Sequence, residues 1–237
     1  MATSLSSLAP ILATEVDSCI NAERKAKVGE HVGATHYLAC DFGLRRDRAV
    51  VAVGHRSRKT KKVILDHMKT FYPPGKDGRI SVKRVENEIY SCLRRFRPIE
   101  QIVADPWQLE GTIQKLEARG WDVWRFVFSG GNLTLLTQEL MRHVVDGYLE
   151  IYEYEELIKE LKNVQAVQKH YGFRIDHESG QHDDHAITLG MLILAMLPEA
   201  EYDDLSEDEE GNDPFGALLQ PNQLDMMLAR MRSSVPL

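Results

Sequence analysis

The apolar residues of this chain change their period partway along, and that change restricts the fold more than any other feature of the sequence. Residues 37–40, 49–53 and 62–65 are β-rich runs with nothing of helical length between them. Three strands in such close succession form an antiparallel meander. A loop rich in Pro73, Pro74, Gly75 and Gly78 follows, and then Val82, Val85, Ile89, Cys92, Leu93 and Phe96 recur with helical spacing over residues 82–96. From there strand and helix alternate. A strand at 101–104 leads to a helix at 109–118 stopped by Gly120, and a strand at 123–127 stopped by Gly130 and Gly131 leads to a helix at 133–145. A short strand at 148–151, a helix at 155–168, a hairpin strand at 171–175 and an apolar helix at 183–197 complete the pattern. A meander followed by βαβ units implies an α/β fold, a mixed sheet with helices on both faces. Ala186, Gly190 and Ala195 suit the last helix to close packing against that sheet.

With 237 residues, 43% of them hydrophobic, the chain can bury one substantial core and carry appendages. Residues 1–33 read as an N-terminal linker helix, with Ile11, Leu12, Val16, Cys19 and Ile20 loosely amphipathic before Gly29 and Gly33 break the pattern. Residues 34–198 read as the α/β domain, and residues 199–237 as an acidic, flexible tail. The net charge of −7 resides in that tail, which holds 10 acids and 2 bases and leaves 26 acids against 27 bases in the body. Bases cluster at Arg45, Arg46 and Arg48, where they can meet phosphates or form a solvated face. Cys19, Cys40 and Cys92 form no CxxC pair, so reduced, buried thiols are expected. No apolar run reaches the roughly 20 residues that span a bilayer, and the N-terminus lacks a signal peptide's basic region, so no membrane association or secretion is expected.

The chemistry lies in acids at strand ends. Asp41 closes the first strand, Asp105 closes the strand at 101–104, and Asp183 and Asp184 open the last helix. Singly, such aspartates are ordinary turn or cap residues. Carboxylates gathered together repel one another, and a fold that gathers them does so around a cation. All-oxygen ligands select Mg²⁺ or Mn²⁺.

Residues 136–197 carry Glu139-Leu140, then Asp146-Gly147-Tyr148-Leu149-Glu150-Ile151, then Glu156-Leu157, then Gly180-Gln181-His182-Asp183-Asp184-His185-Ala186. This succession resembles the closing half of the nuclease domain of viral DNA-packaging terminase large subunits, where a helix, a "dGxL" strand, an "LxxEL" helix and an "HDD" helix follow one another. Asp41-Phe42-Gly43 with Asp47, and Val103-Ala104-Asp105, resemble the first and second acidic motifs of that family in the same order. The resemblance spans residues 37–197. It implies an RNase H-like fold and a Mg²⁺- or Mn²⁺-dependent endonuclease that cuts concatemeric double-stranded viral DNA during genome packaging. Asp41 would bridge two ions, Asp105 would hold one and Asp183 or Asp184 the other, with Asp47 an accessory ligand or orienter. The ions would activate water and stabilise the leaving 3′ oxygen. His182 and His185 would assist the leaving group or orient a carboxylate, or else act as capping or surface residues. Arg45, Arg46 and Arg48 are the candidate DNA contacts. The setting implied is the cytoplasm of an infected bacterial cell, with an ATPase motor, a portal and a small terminase subunit as partners.

Terminase large subunits carry an ATPase motor, but this sequence contains no GxxxxGK[ST] loop, so the motor is expected on another chain or on a segment outside this one. The acidic tail is a second departure from the family pattern. Two other readings fit the same residues: another RNase H-like nuclease of the resolvase or transposase type, and a non-catalytic DNA- or partner-binding module on the same fold.

Overall fold

A computed structural model describes residues 13–29, 33–43, 48–75, 78–169, 172–176 and 182–197. The meander forms as expected: β1 (His36–Phe42) pairs antiparallel with β2 (Ala49–Arg56), which pairs antiparallel with β3 (Val63–Phe71). α2 (Val82–Arg95) leads to β4 (Ile99–Ala104), parallel to β1, and α3 (Pro106–Glu117) leads to β5 (Val123–Arg125), parallel to β4. α4 (Gly130–Val145) then crosses to β6 (Leu149–Glu150), parallel to β3 on the far edge. The six strands lie in the order β5-β4-β1-β2-β3-β6, with β1 and β2 at the centre. α5 (Glu155–Asn163), a separate hairpin of β7 (Gln165–Lys169) and β8 (Gly172–Asp176), and α6 (Asp184–Leu194) follow.

Strand alternation sorts the core into two layers. Ala39, Val50, Ala52 and Val103 face one side, where they pack with residues of α1 (Ala13–Cys19), α4, α5 and α6. Leu38, Cys40, Val51, Ile102 and Ala104 face the other side, under α2 and α3. Helices therefore cover both faces of a mixed sheet. α6 is buried along its whole length, lying on β1 and β2 and against α4. Gly190 marks the closest approach, since a Cβ there would sit 2.6 Å from Leu136 of α4; the small residue serves helix–helix rather than helix–sheet contact. Among the described residues no helix is long and apolar enough to cross a membrane.

Two segments differ from the sequence reading. The helix expected over 155–168 ends at Asn163, because Val164 turns extended and residues 165–169 pair with β8. Leu157, Leu161 and Val164 mimic a helical stripe, but Val164 and Val167 are β-branched and stay in a strand more readily than in a helix. The lead-in helix ends at Cys19, where Ile20 bridges to Ile151, and Val16 and Cys19 are buried in the α6-side core. Residues 13–20 therefore pack with the domain. Cys19, Cys40 and Cys92 are buried free thiols. The tail at 199–237 and residues 1–12 lie outside the described residues.

Candidate active site

Asp41 and Asp105 are brought together by register. Cys40 is paired with Ala104 in the parallel β1–β4 ladder, and the N–H of Asp105 donates to the carbonyl of Cys40 at 3.2 Å. Asp41 and Asp105 are therefore the next residues on adjacent strands, which run about 4.8 Å apart. Alternation puts both on the α6 side: Ala39 and Val103, two residues earlier on each strand, belong to that layer. α6 begins there, with Asp183 at its N-cap position and Asp184 in its first turn.

The consequence is electrostatic. The carboxyl of Asp41 is pushed well above the ordinary carboxylate range, first by burial, then by the charges of Asp184, Asp105 and Asp183 in that order. All four predicted acids thus act on one place. The carboxyl of Asp105 is also raised by burial, against the opposing effect of the Trp107 N–H. His182 lies beside this cluster, with Nδ1 3.7 Å from Asp184 Oδ2. A hollow of about 610 Å³ opens next to Asp105, lined by Pro106, Trp107, Glu110, Val127 and Phe128.

His185 and Arg48 occupy a different position from the one their neighbours in sequence suggest. His185 is fully buried, its Nδ1 2.6 Å from Glu160 Oε1 and its Nε2 2.7 Å from Thr70 Oγ1. Thr70 Oγ1 lies 2.8 Å from the Tyr154 hydroxyl. Arg48 donates to Glu160 Oε1 at 3.1 Å and stacks over Tyr72. Thr70, Tyr154 and Tyr72 were not marked by the sequence, since each meets its partner across at least 24 residues; Glu160 is the acid of the LxxEL pattern Leu157-Ile158-Lys159-Glu160-Leu161, but no site role was read from it. The candidates Arg45, Arg46 and Asp47 lie outside the described residues.

Two tighter sets of ligating atoms lie elsewhere: His36, His55 and Asp66, and His67, Glu88 and Cys92, each set within 4.8 Å. Both are already balanced by cationic side chains. Asp66 Oδ1 has Lys27 at 3.7 Å and Arg24 at 3.8 Å, and Oδ2 meets His55 Nδ1 at 2.5 Å. Glu88 is bonded to His67, Lys69 and Arg95, and His67 first and Lys69 next hold its carboxyl down to about 2 against the effect of burial. The aspartate cluster has hard oxygen donors and a surplus of negative charge, and that donor set fits a divalent cation.

The backbone resembles those of solved phage terminase nucleases. The large terminase nuclease of thermophilic phage G20c is 15% identical over an alignment covering 80% of this chain and 100% of that one, with a TM-score of 0.64. The nuclease domain of Thermus phage P74-26 large terminase is 15% identical, covering 86% and 98%, with a TM-score of 0.60. The chain has the large-terminase nuclease fold. The HK97 bacteriophage large terminase superposes at a TM-score of 0.65 and 11% identity over 81% of this chain, which spans 45% of that longer protein. The G20c nuclease has also been solved with magnesium, cobalt or zinc bound. No family model and no curated protein matches this sequence. The terminase nuclease fold seen here is thus shared in backbone at low sequence identity.

Proposed function

We propose that this chain is a divalent-metal-dependent endonuclease that cuts double-stranded viral DNA during genome packaging. The observation that carries the reading is the convergence of Asp105, Asp183 and Asp184 on Asp41, whose half-buried carboxyl their charges push upward, on a fold shared with phage terminase nucleases. Asp41, Asp105 and one or both of Asp183 and Asp184 would hold two Mg²⁺ or Mn²⁺ ions. When bound, such ions activate a water for attack on a phosphodiester and stabilise the leaving 3′ oxygen. Asp41 and Asp105, fixed on neighbouring strands, present their oxygens from the sheet, while Asp183 and Asp184 present theirs from the N-cap and the first turn of α6. His182, 3.7 Å from Asp184, is placed to orient that carboxylate or to hold a proton at the rim of the cluster. His185 and Arg48 serve as supports beneath α6, and Arg45, Arg46 and Asp47 remain candidates for DNA contact and accessory ligation.

The partners this reading names are duplex DNA, an ATPase motor carried on another chain or segment, a portal and a small terminase subunit, all in the host cytoplasm. The metal-bound G20c structures and the larger HK97 terminase support it. The test is plasmid nicking with Mn²⁺ or Mg²⁺ against a chelator control. Nicked and linear products that need the metal and vanish in Asp41→Asn are expected. Cleavage confined to four-way junctions would favour a resolvase, and binding without any cleavage a non-catalytic module.

A further inference from the structure

α6 opens on an exchange of roles between two acids. Asp183 stands at its N-cap, where an aspartate ordinarily accepts from the N–H groups of the second or third helical residue, yet its side chain makes no such bond. Those N–H groups are taken by a residue of another helix. Oε2 of Glu160, on α5, accepts from the N–H of His185 at 2.7 Å and of Ala186 at 3.2 Å. Its other oxygen, Oε1, lies 2.6 Å from His185 Nδ1 and 3.1 Å from Arg48.

Glu160 is only 5% exposed, and a carboxylate buried that deeply is costly unless several donors meet it. Four donors are in place. That is an expensive way to cap a helix whose own first residue could do so, unless the carboxylate of Asp183 has another task. Asp183 opens α6 on the face of the sheet that carries Asp41, directly before Asp184, so the end of the helix that Glu160 caps is the end that meets the cluster. Asp105 offers the contrast, since it caps its own helix through Oδ1.

We infer that Glu160 is a positioning residue for the acid cluster: it caps α6 from outside and so keeps the Asp183 carboxylate turned to the metal site. This rests on the metal-nuclease reading above. Loss of Glu160 would let Asp183 swing back to cap its own helix, preserving the fold while removing an oxygen from the ions.

The experiment combines Mn²⁺ binding by calorimetry without DNA, cleavage as a function of Mn²⁺, and thermal melts in chelator. Glu160→Ala should raise the half-saturating Mn²⁺ concentration by roughly tenfold or more, as loss of an outer-sphere support does. Glu160→Gln, whose amide oxygen can still accept from the two N–H groups, should retain most of that affinity. Asp183→Ala should not lower the Tm of the wild-type chain, because Asp183 is not the cap, but should lower it in the Glu160→Ala background. A folded Glu160→Ala protein with unchanged Mn²⁺ half-saturation overturns the inference. So does a Tm loss from Asp183→Ala in the wild-type chain, a comparison that holds even if Glu160→Ala does not fold. A wild-type protein that binds Mn²⁺ with the expected Glu160 dependence but cuts no DNA overturns the nuclease reading alone.

Discussion

The carboxylate of Asp105 accepts a hydrogen bond at 3.0 Å from the backbone N–H of Trp107, so the residue that follows β4 also caps α3. The cap and the proposed metal ligation can be separated. Asp105→Asn keeps a side-chain oxygen for the cap and should melt near the wild type while losing metal-dependent nicking. Asp105→Ala should lose nicking and also about 1 kcal/mol of stability, the usual worth of an N-cap. Equal melting temperatures for the two variants would show that the cap contributes nothing.

The carboxyl of Asp41 is pushed well above the ordinary carboxylate range, first by burial and then by the charges of Asp184, Asp105 and Asp183. Asp41→Asn removes a charge from that set and should raise metal-free stability at neutral pH, measured by urea unfolding in chelator, while abolishing cleavage. Added Mn²⁺ should stabilise the wild type more than the variant. A folded Asp41→Asn protein that still nicks DNA would refute the assignment of Asp41.

Glu88 offers a pH test away from the cluster. Its carboxyl is lowered from 4.5 to about 2, first by His67 and then by Lys69, so the native state binds fewer protons than the unfolded state in that window. The stability it contributes is present above about pH 4.5 and is lost as pH falls towards 2. Glu88→Gln should cost roughly 1–3 kcal/mol at pH 7 and progressively less below pH 4.5, in denaturant titrations at several pH values.

Ca²⁺ should bind the cluster without supporting efficient turnover, because its longer, more variable coordination places a water less well than Mg²⁺ or Mn²⁺. Calorimetry with Ca²⁺ and nicking in Ca²⁺ alone check this together. Full activity in Ca²⁺ would count against the two-ion reading.

Gly190 tests the packing beneath the site. A Cβ there would lie 2.6 and 2.7 Å from side-chain atoms of Leu136, so Gly190→Ala should destabilise by about 1–3 kcal/mol. Leu136→Val should recover part of that loss in the double variant, read as a coupling energy from thermal melts.

Much of this was legible because strand ends write themselves into sequence. Asp41 and Asp105 each follow an apolar run of strand length, and the change from a meander to βαβ units ordered the sheet around them. What stayed hidden depended on distance or ambiguity. Glu160 is the acid of the LxxEL pattern, but its role stays hidden until α6 arrives 25 residues later to be capped by it. The β7 strand was concealed because Leu157, Leu161 and Val164 continue a helical spacing past the point where the backbone leaves the helix. His185 reads as a residue that assists the leaving group, orients a carboxylate, caps the helix or lies at the surface; only the fold shows that it is buried and that the carboxylate beside it is Glu160.

Asp66 is an extra rung in β3. Val53 pairs with His67 and Gly54 with Leu65, leaving Asp66 opposite no residue of β2, and its side chain turns into the buried company of His55 and His36. Val63 and Leu65 before it and Met68 after it share the α6-side layer, where Thr70 also meets His185. Losing one residue from a central strand ordinarily turns every later side chain to the opposite face. Here a chain without Asp66 would keep each later residue on its present face, in an uninterrupted ladder. A single codon deletion at this position would therefore leave the later strand in step, while taking from His55, Lys27 and Arg24 the carboxylate they share.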